Sequence, residues 1–164
     1  MRVLGIDPGG TGALALLDAR GLDLRVEDMP VHRVSRGSGT KAELDVHAFE
    51  RLVCSMAPDA CYFERVHGQD GDGVSAAFNF GEITGAARAL CVAHGSRFIR
   101  IAPYKWKKEM GLVGKAKDDG RAMATELWPS MAEAFARKKD DGRADAALIA
   151  EYGRRDLVRL GVLG

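Results

Sequence analysis

The sequence predicts an α/β fold in which helices flank a mixed central sheet of five strands. Short runs of strand-forming residues alternate with segments whose apolar residues recur at the helical period. Their order is three strands, a helix, a strand, a helix, a strand and then helices, which is typical of a sheet covered by helices. We expect the first three strands to be antiparallel and the last two to be parallel. A length of 164 residues suits one domain over residues 1–164.

Five segments have strand character because they are short, apolar or alternating, and bounded by turn residues. They are Arg2–Asp7, Gly12–Asp18, Leu22–Met29, Ala60–Val66 and Arg97–Ala102. Residues 31–44 have no apolar period and are rich in glycine, serine and basic residues. They are therefore predicted to form a mobile surface loop.

The helical segments follow capping residues or proline and carry apolar residues three and four positions apart. They are a helix capped by Asp45, a helix that Ser75 caps and that runs to about Ala93, a short basic helix opened by Pro103, Lys117–Trp128 and Asp140–Tyr152. On the long helix, Gly81, Gly85 and Ala89 form a stripe of small residues. Such a stripe normally indicates the close approach of another backbone.

Composition excludes several classes of protein. No stretch approaches the roughly 20 apolar residues that a membrane span needs. A strand and turn occupy the N-terminus where a signal peptide would lie, so a cytoplasmic protein is expected.

The cysteines are odd in number and set among apolar residues, which favours reduced core thiols over a zinc site or disulfides; they are Cys54, Cys61 and Cys91. The isolated histidines are assigned structural or solvent-facing roles; they are His32, His47 and His94.

Charge is distributed unevenly along the chain, although the net charge is only +1. Residues 1–96 hold 9 Lys and Arg against 13 Asp and Glu, whereas residues 97–164 hold 15 against 10. The segment from Arg97 to Arg121 has eight basic and three acidic residues with Tyr104 and Trp106 among them, which suits contact with a phosphate backbone. A solvated helical face is the alternative for this segment. Trp106 and Trp128 are expected to pack in the core or at its edge rather than to stack on bases.

Three places hold carboxylates that structure alone would not select. Asp7 ends the first strand, Glu64 lies near the end of the fourth, and Asp141 and Asp145 are four residues apart on the last helix. Residues at i and i+4 share a helix face, where like charges are destabilising unless a cation lies between them. Mg²⁺ prefers oxygen ligands, and a pair of ions can stabilise both the attacking and the leaving oxygen of a phosphodiester.

Each carboxylate also has a simpler interpretation. Asp7 could form an Asx turn before Pro-Gly, and Glu64 could pair with Arg65 or another base. Asp141 could interact with the dipole of its helix. Asp145 lies beside the apolar side of the last helix, where an unpaired carboxylate would be costly.

The opening GIDPGGTGALALLD, the strand YFERV and the helix DGRADAALIAEYG stand in this order along the chain. They resemble the first hairpin, the fourth strand and the final acidic helix of RuvC-type Holliday-junction resolvases. The resemblance implies an RNase H-like fold and a site for two Mg²⁺ ions, for which Mn²⁺ can substitute, held by Asp7, Glu64, Asp141 and Asp145. It also implies a homodimer that nicks two strands of four-way junction DNA.

The resemblance further implies that Lys107 and Lys117 lie near the scissile phosphate and that Lys117 is catalytic. The expected DNA-binding residues are Lys105, Lys107, Lys108, Lys115, Lys117 and His67. The dimer face is expected on the exposed side of the long helix, with Phe78, Ile83 or Leu90. His67 stands where the family often has an aromatic residue, and the last two acids are four residues apart where the family usually has three. In these departures the chain is similar to the phage and organellar branches of the family. The expected compartment is a bacterial or phage-infected cytoplasm.

Other functions stay open at this point. A less specific nuclease for branched DNA or RNA–DNA hybrids would use the same fold, and a nucleic-acid-binding module could have lost catalysis. The retained acids argue against such a module, since a phosphate binder would gain by neutralising them. The first hairpin also resembles that of sugar kinases and actin-like ATPases, but those proteins need two such domains around a nucleotide.

Overall fold

A computed structural model describes residues 1–36, 39–65 and 74–163 of the chain. The strands in these ranges are β1 (Arg2–Asp7), β2 (Ala13–Asp18), β3 (Leu24–Asp28), β4 (Val31–Arg36), β5 (Gly39–Leu44), β6 (Ala60–Glu64) and β7 (Arg97–Ile101). The helices are α1 (Val46–Met56), α2 (Val74–Ala93), α3 (Pro103–Glu109), α4 (Lys117–Leu127) and α5 (Asp141–Arg159), with 3-10 turns at Pro129–Phe135 and Lys138–Asp140.

Five strands form the central sheet in the order β3-β2-β1-β6-β7. The pairs β1–β2 and β2–β3 are antiparallel, whereas β1–β6 and β6–β7 are parallel. The predicted fold class is confirmed, because three antiparallel strands are followed by two parallel ones in a sheet flanked by helices.

The sheet separates two apolar layers. Alternate residues of β1 point to opposite faces, so Val3 joins the layer beneath α5 while Leu4 and Ile6 join the layer beneath α1 and α2. Gly5 lets α5 approach β1, because a Cβ at this position would collide with the carbonyl of Ala146. This close contact fixes the last helix against the strand that ends in a carboxylate.

The start and end of α1 follow local signals in the sequence. The carboxylate of Asp45 accepts a hydrogen bond from the amide of Ala48 at 2.9 Å, as a capping residue does. The helix ends at Met56, and the residue that caps it, Ala57, adopts a left-handed conformation immediately before Pro58.

The loop prediction for residues 31–44 is wrong, because β4 and β5 pair there as an antiparallel ribbon. Val31 and Leu44 lie opposite each other and pack against the core at the base of the ribbon. The side chains described farther along are mostly polar and partly exposed, so the segment has no apolar periodicity.

The long helix α2 differs from expectation in three respects. It begins at Val74, so Ser75 lies in its first turn and not before it. A Cβ at Gly81 or Gly85 would meet no atom within 4 Å, so the predicted close approach of a backbone is absent from the described part of the chain. Ile83 is fully buried in the layer on the sheet and cannot belong to an exposed face.

The cysteine prediction is only partly correct. Cys61 and Cys91 are buried thiols, but Cys54 is exposed on α1. None of the helices in the described ranges is both long and apolar enough to cross a membrane.

Candidate active site

The carboxylates predicted from the sequence meet at one edge of the sheet. Asp7 ends β1 and Glu64 ends β6, and the parallel pairing of these strands puts both at the same edge. The first turns of α5 cross this edge at Gly142, where a Cβ would clash with the carbonyl of Thr11 and lie 3.1 Å from Asp7 Oδ2. A glycine there lets α5 bring Asp145 toward the strand ends.

The charges of these groups perturb one another. Burial raises the pKa of Asp7 well above its usual value, and the charges of Glu64 and Asp145 raise it further. Burial also raises the pKa of Asp145 to about 6, and Lys107 and Lys117 oppose that rise. In the described part of the chain, no protein group donates a hydrogen bond to the side chain of Asp7 or Asp145. Asp7 and Asp145 therefore have no protein donor, within the described residues, that would stabilise their charged forms.

Glu64 is oriented by a buried tryptophan. The indole N–H of Trp106 donates to Glu64 Oε1 at 2.9 Å, and the Trp106 ring is fully buried. The prediction that Trp106 packs in the core is confirmed, but its contact with Glu64 was not foreseen. A pairing of Glu64 with Arg65 is absent from the described contacts.

Asp141 has a different environment from the other three acids. Its carboxylate accepts a hydrogen bond from Arg121, and Lys117 Nζ lies 3.8 Å from Asp141 Oδ2. Arg121 also binds Asp118, and its side chain is only 13% exposed. Asp141 therefore lies on the side of the carboxylate cluster where two basic residues, Arg121 and Lys117, pair with it. Sequence reasoning missed Arg121 because it is 20 positions from its partner.

The predicted lysines divide into two groups. A cavity of about 70 Å³ beside Asp145 is lined by Lys107, Lys115 and Lys117. Lys105 and Lys108 lie exposed on α3 and do not line this cavity. His67, the remaining predicted DNA contact, lies outside the described residues.

The architecture matches solved structures over nearly its whole length. RuvC of T. thermophilus in complex with a Holliday junction substrate aligns with a TM-score of 0.63 and 17% identity, covering 99% of this chain and 97% of that one. The yeast mitochondrial Holliday junction resolvase Ydc2 aligns with a TM-score of 0.59 and 18% identity, covering 97% and 80%. The chain has the RuvC-type fold. The predicted RNase H-like architecture and the resemblance to these resolvases are confirmed at this level.

Sequence comparison gives a partial relative. The Holliday junction resolvase MOC1, chloroplastic, of Chlamydomonas reinhardtii is 37% identical over 83 residues, which are 50% of this chain and 9% of that protein. This chain therefore corresponds to a small part of that relative's length. No family model matches the sequence.

Proposed function

We propose that this protein is a metal-dependent endonuclease that nicks four-way junction DNA symmetrically and so resolves recombination intermediates. The observation that carries the proposal is the convergence of Asp7, Glu64 and Asp145 beside the lysine-lined cavity of a RuvC-type fold. The names of the relatives support it, since the relative found by sequence and the yeast neighbour are named Holliday junction resolvases and the RuvC neighbour is in complex with a Holliday junction substrate.

The carboxylate site fits hard cations. Asp7 and Asp145 are partly buried and lack protein donors in the described chain, and the charge of Glu64 raises the pKa of both, so a dication bound here would relieve both burial and repulsion. Asp7, Glu64, Asp141 and Asp145 would hold two Mg²⁺ ions, and Mn²⁺ could replace them. When bound, the metal supplies Lewis-acid stabilisation of the phosphodiester and lowers the pKa of a coordinated water.

The protein's own residues orient this chemistry. Trp106 fixes the Glu64 carboxylate, and Arg121 holds Asp141 at the first turn of α5. Lys117 is half of an ion pair with Asp141 and is 82% exposed, so it can turn toward a phosphate. A lysine at that position would stabilise negative charge that builds up on the phosphoryl oxygens.

The basic residues of α3 would contact the DNA backbone away from the reacting phosphate. Lys105 and Lys108 are exposed there, and Lys115, which follows α3 in the chain, lines the cavity beside Asp145. Contacts of this kind add affinity without sequence preference.

The exposed face of α2 is the proposed interface of the homodimer. Phe78 is 70% exposed and Val92 is 57% exposed, while Gly81 and Gly85 leave open space beside them. A second copy related by twofold symmetry could bury this apolar face and present a second active site to the opposite strand of a junction. A bacterial or phage-infected cytoplasm is the proposed compartment, and the chloroplastic relative and mitochondrial neighbour make an organelle the alternative.

Incubation with four labelled substrates tests the proposal. The purified protein and Mg²⁺ are mixed with a four-way junction, a Y-fork, an RNA–DNA hybrid and a linear duplex at several salt concentrations. We expect paired nicks confined to the junction, which disappear in EDTA and in Glu64→Gln. Equal cleavage of the fork or the hybrid would favour a less specific nuclease, and junction binding without cleavage would favour a binding module.

A further inference from the structure

A second group of metal-ligating side chains lies at the opposite edge of the sheet from the carboxylate cluster. Glu50 and Cys54 are one helical turn apart on α1, and His94 follows the end of α2. Cys54 and His94 line a surface pocket of about 360 Å³ together with Arg2, which begins β1. Asp7 ends the same strand, so roughly 17–20 Å of extended chain separates the two edges.

The three side chains have the spacing of ligands around one small cation. Cys54 Sγ lies 3.0 Å from Glu50 Oε1 and 3.2 Å from His94 Nε2, and His94 Nε2 lies 3.7 Å from Glu50 Oε1. Sulfur, nitrogen and oxygen ligands on a tetrahedral zinc ion lie about 3.3–3.6 Å apart, given the usual bond lengths. Small rotations of exposed side chains would bring all three distances to these values.

A reactive thiol is a poorer explanation of the cluster. Cys54 Sγ donates to the Glu50 carboxylate at 3.0 Å, and a neighbouring anion disfavours the thiolate that a reactive cysteine needs. A simple structural hydrogen bond is also disfavoured, because Cys54 and His94 are both exposed and neither supports a buried polar group. A soft ligand, an imidazole and a carboxylate form a donor set typical of zinc.

We propose that Glu50, Cys54 and His94 bind one Zn²⁺ ion that ties α1 to the end of α2. The ion replaces the thiol proton, which is released to solvent, and leaves the fourth position to water from the adjoining pocket. The expected consequence is resistance to unfolding, because the ligands come from segments that are 40 residues apart in the chain. This site is independent of the proposed nuclease activity.

Cobalt substitution distinguishes this site from the carboxylate cluster. Excess Mg²⁺ is added to compete for the carboxylate cluster. One equivalent of Co²⁺ should then give the near-ultraviolet thiolate-to-cobalt band and the intense visible band of a tetrahedral ion. Zn²⁺ should then abolish both bands with 1:1 stoichiometry. The other two cysteines in the chain are buried, so the thiolate band reports on Cys54.

Cys54→Ser should lose the thiolate band, and both Cys54→Ser and His94→Gln should weaken Zn²⁺ binding at least tenfold. The matched control is His32→Gln, which removes another exposed histidine beside a glutamate, with 3.9 Å between His32 Nε2 and Glu43 Oε2. All three variants should unfold at the wild-type temperature in EDTA, and Zn²⁺ should raise that temperature only in wild type and His32→Gln. A thiolate band that persists in Cys54→Ser, or equal Zn²⁺ affinity in all four proteins, would overturn the proposal.

Discussion

Replacing Asp145 by Asn should stabilise the metal-free protein at neutral pH, because the carboxylate is held in an unfavourable environment. Burial raises the pKa of Asp145 to about 6 from its usual 3.8. Between these values the folded state binds a proton that the unfolded state has lost, so the free energy of unfolding falls as the pH rises from 3.8 to 6. Above pH 6 the whole penalty is present.

The size of this effect follows from the pKa. Each pKa unit corresponds to about 1.4 kcal/mol, which puts the penalty at roughly 3 kcal/mol. The side chain is partly exposed, so we expect Asp145→Asn to recover about 1–3 kcal/mol at pH 8 and almost nothing at pH 3.5. For a protein of this size, that gain raises the midpoint of thermal unfolding by about 2–10 °C.

The assay is thermal unfolding at both pH values, with and without Mg²⁺. Saturating Mg²⁺ should stabilise wild type, by about 2.7 kcal/mol at a concentration 100 times Kd, and should stabilise Asp145→Asn much less. Asp23→Asn, which changes an exposed aspartate, is the control and should follow wild type. A variant that is less stable than wild type at pH 8 without metal, or one that responds fully to Mg²⁺, would refute the reasoning.

Three further predictions concern the lysines, the tryptophan and the dimer. Lys117→Ala should lower the single-turnover cleavage rate at saturating protein by ten-fold or more, which corresponds to about 1.4 kcal/mol. The control, Lys108→Ala, should weaken DNA binding and leave that rate near wild type. Full recovery of the Lys117→Ala rate at high protein concentration would show that this lysine only anchors the DNA. Trp106→Phe keeps an aromatic side chain, although a smaller one, and removes the donor to Glu64. Metal affinity in calorimetry should therefore fall about 10–100-fold, and unchanged affinity would argue against that role. Phe78→Glu should shift the sedimentation of the protein from dimer to monomer without changing its circular dichroism, and a persistent dimer would place the interface elsewhere.

The parts of the fold that sequence predicts well are those with local signals. The strand before Asp7 and the cap at Asp45 depend on apolar runs and capping chemistry that act within a few residues. The β4–β5 ribbon was not predicted because Val31 and Leu44, the partly buried residues that pack against the core, lie at opposite ends of the segment in sequence. A ribbon with one buried base and a polar remainder gives no periodic pattern.

In the candidate site, too, the sequence predicts the features that have local signals and misses contacts between distant residues. Asp7 and Glu64 stand out because each ends a mostly apolar strand, and their common location follows from the parallel pairing of β1 and β6. The partners of these acids do not stand out. Nothing in the sequence near Trp106 or Arg121 indicates that one side chain reaches Glu64 and the other Asp141, since those contacts span 42 and 20 positions. The contact between Cys54 and His94 spans 40 positions and gives no local signal either, so the apolar neighbours of the cysteine alone led to its expected place in the core.

Cleavage of a supercoiled plasmid that extrudes a cruciform tests the central claim most directly, namely that carboxylate-held metals on two symmetric copies cut both strands of a junction. Paired nicks made within one binding event release linear plasmid, whereas a single nick relaxes the plasmid and destroys the cruciform before a second cut. We predict linear product from wild type with Mg²⁺ and none from Glu64→Gln. Nicked circles alone, or equal cleavage of a plasmid without the cruciform, would contradict the account.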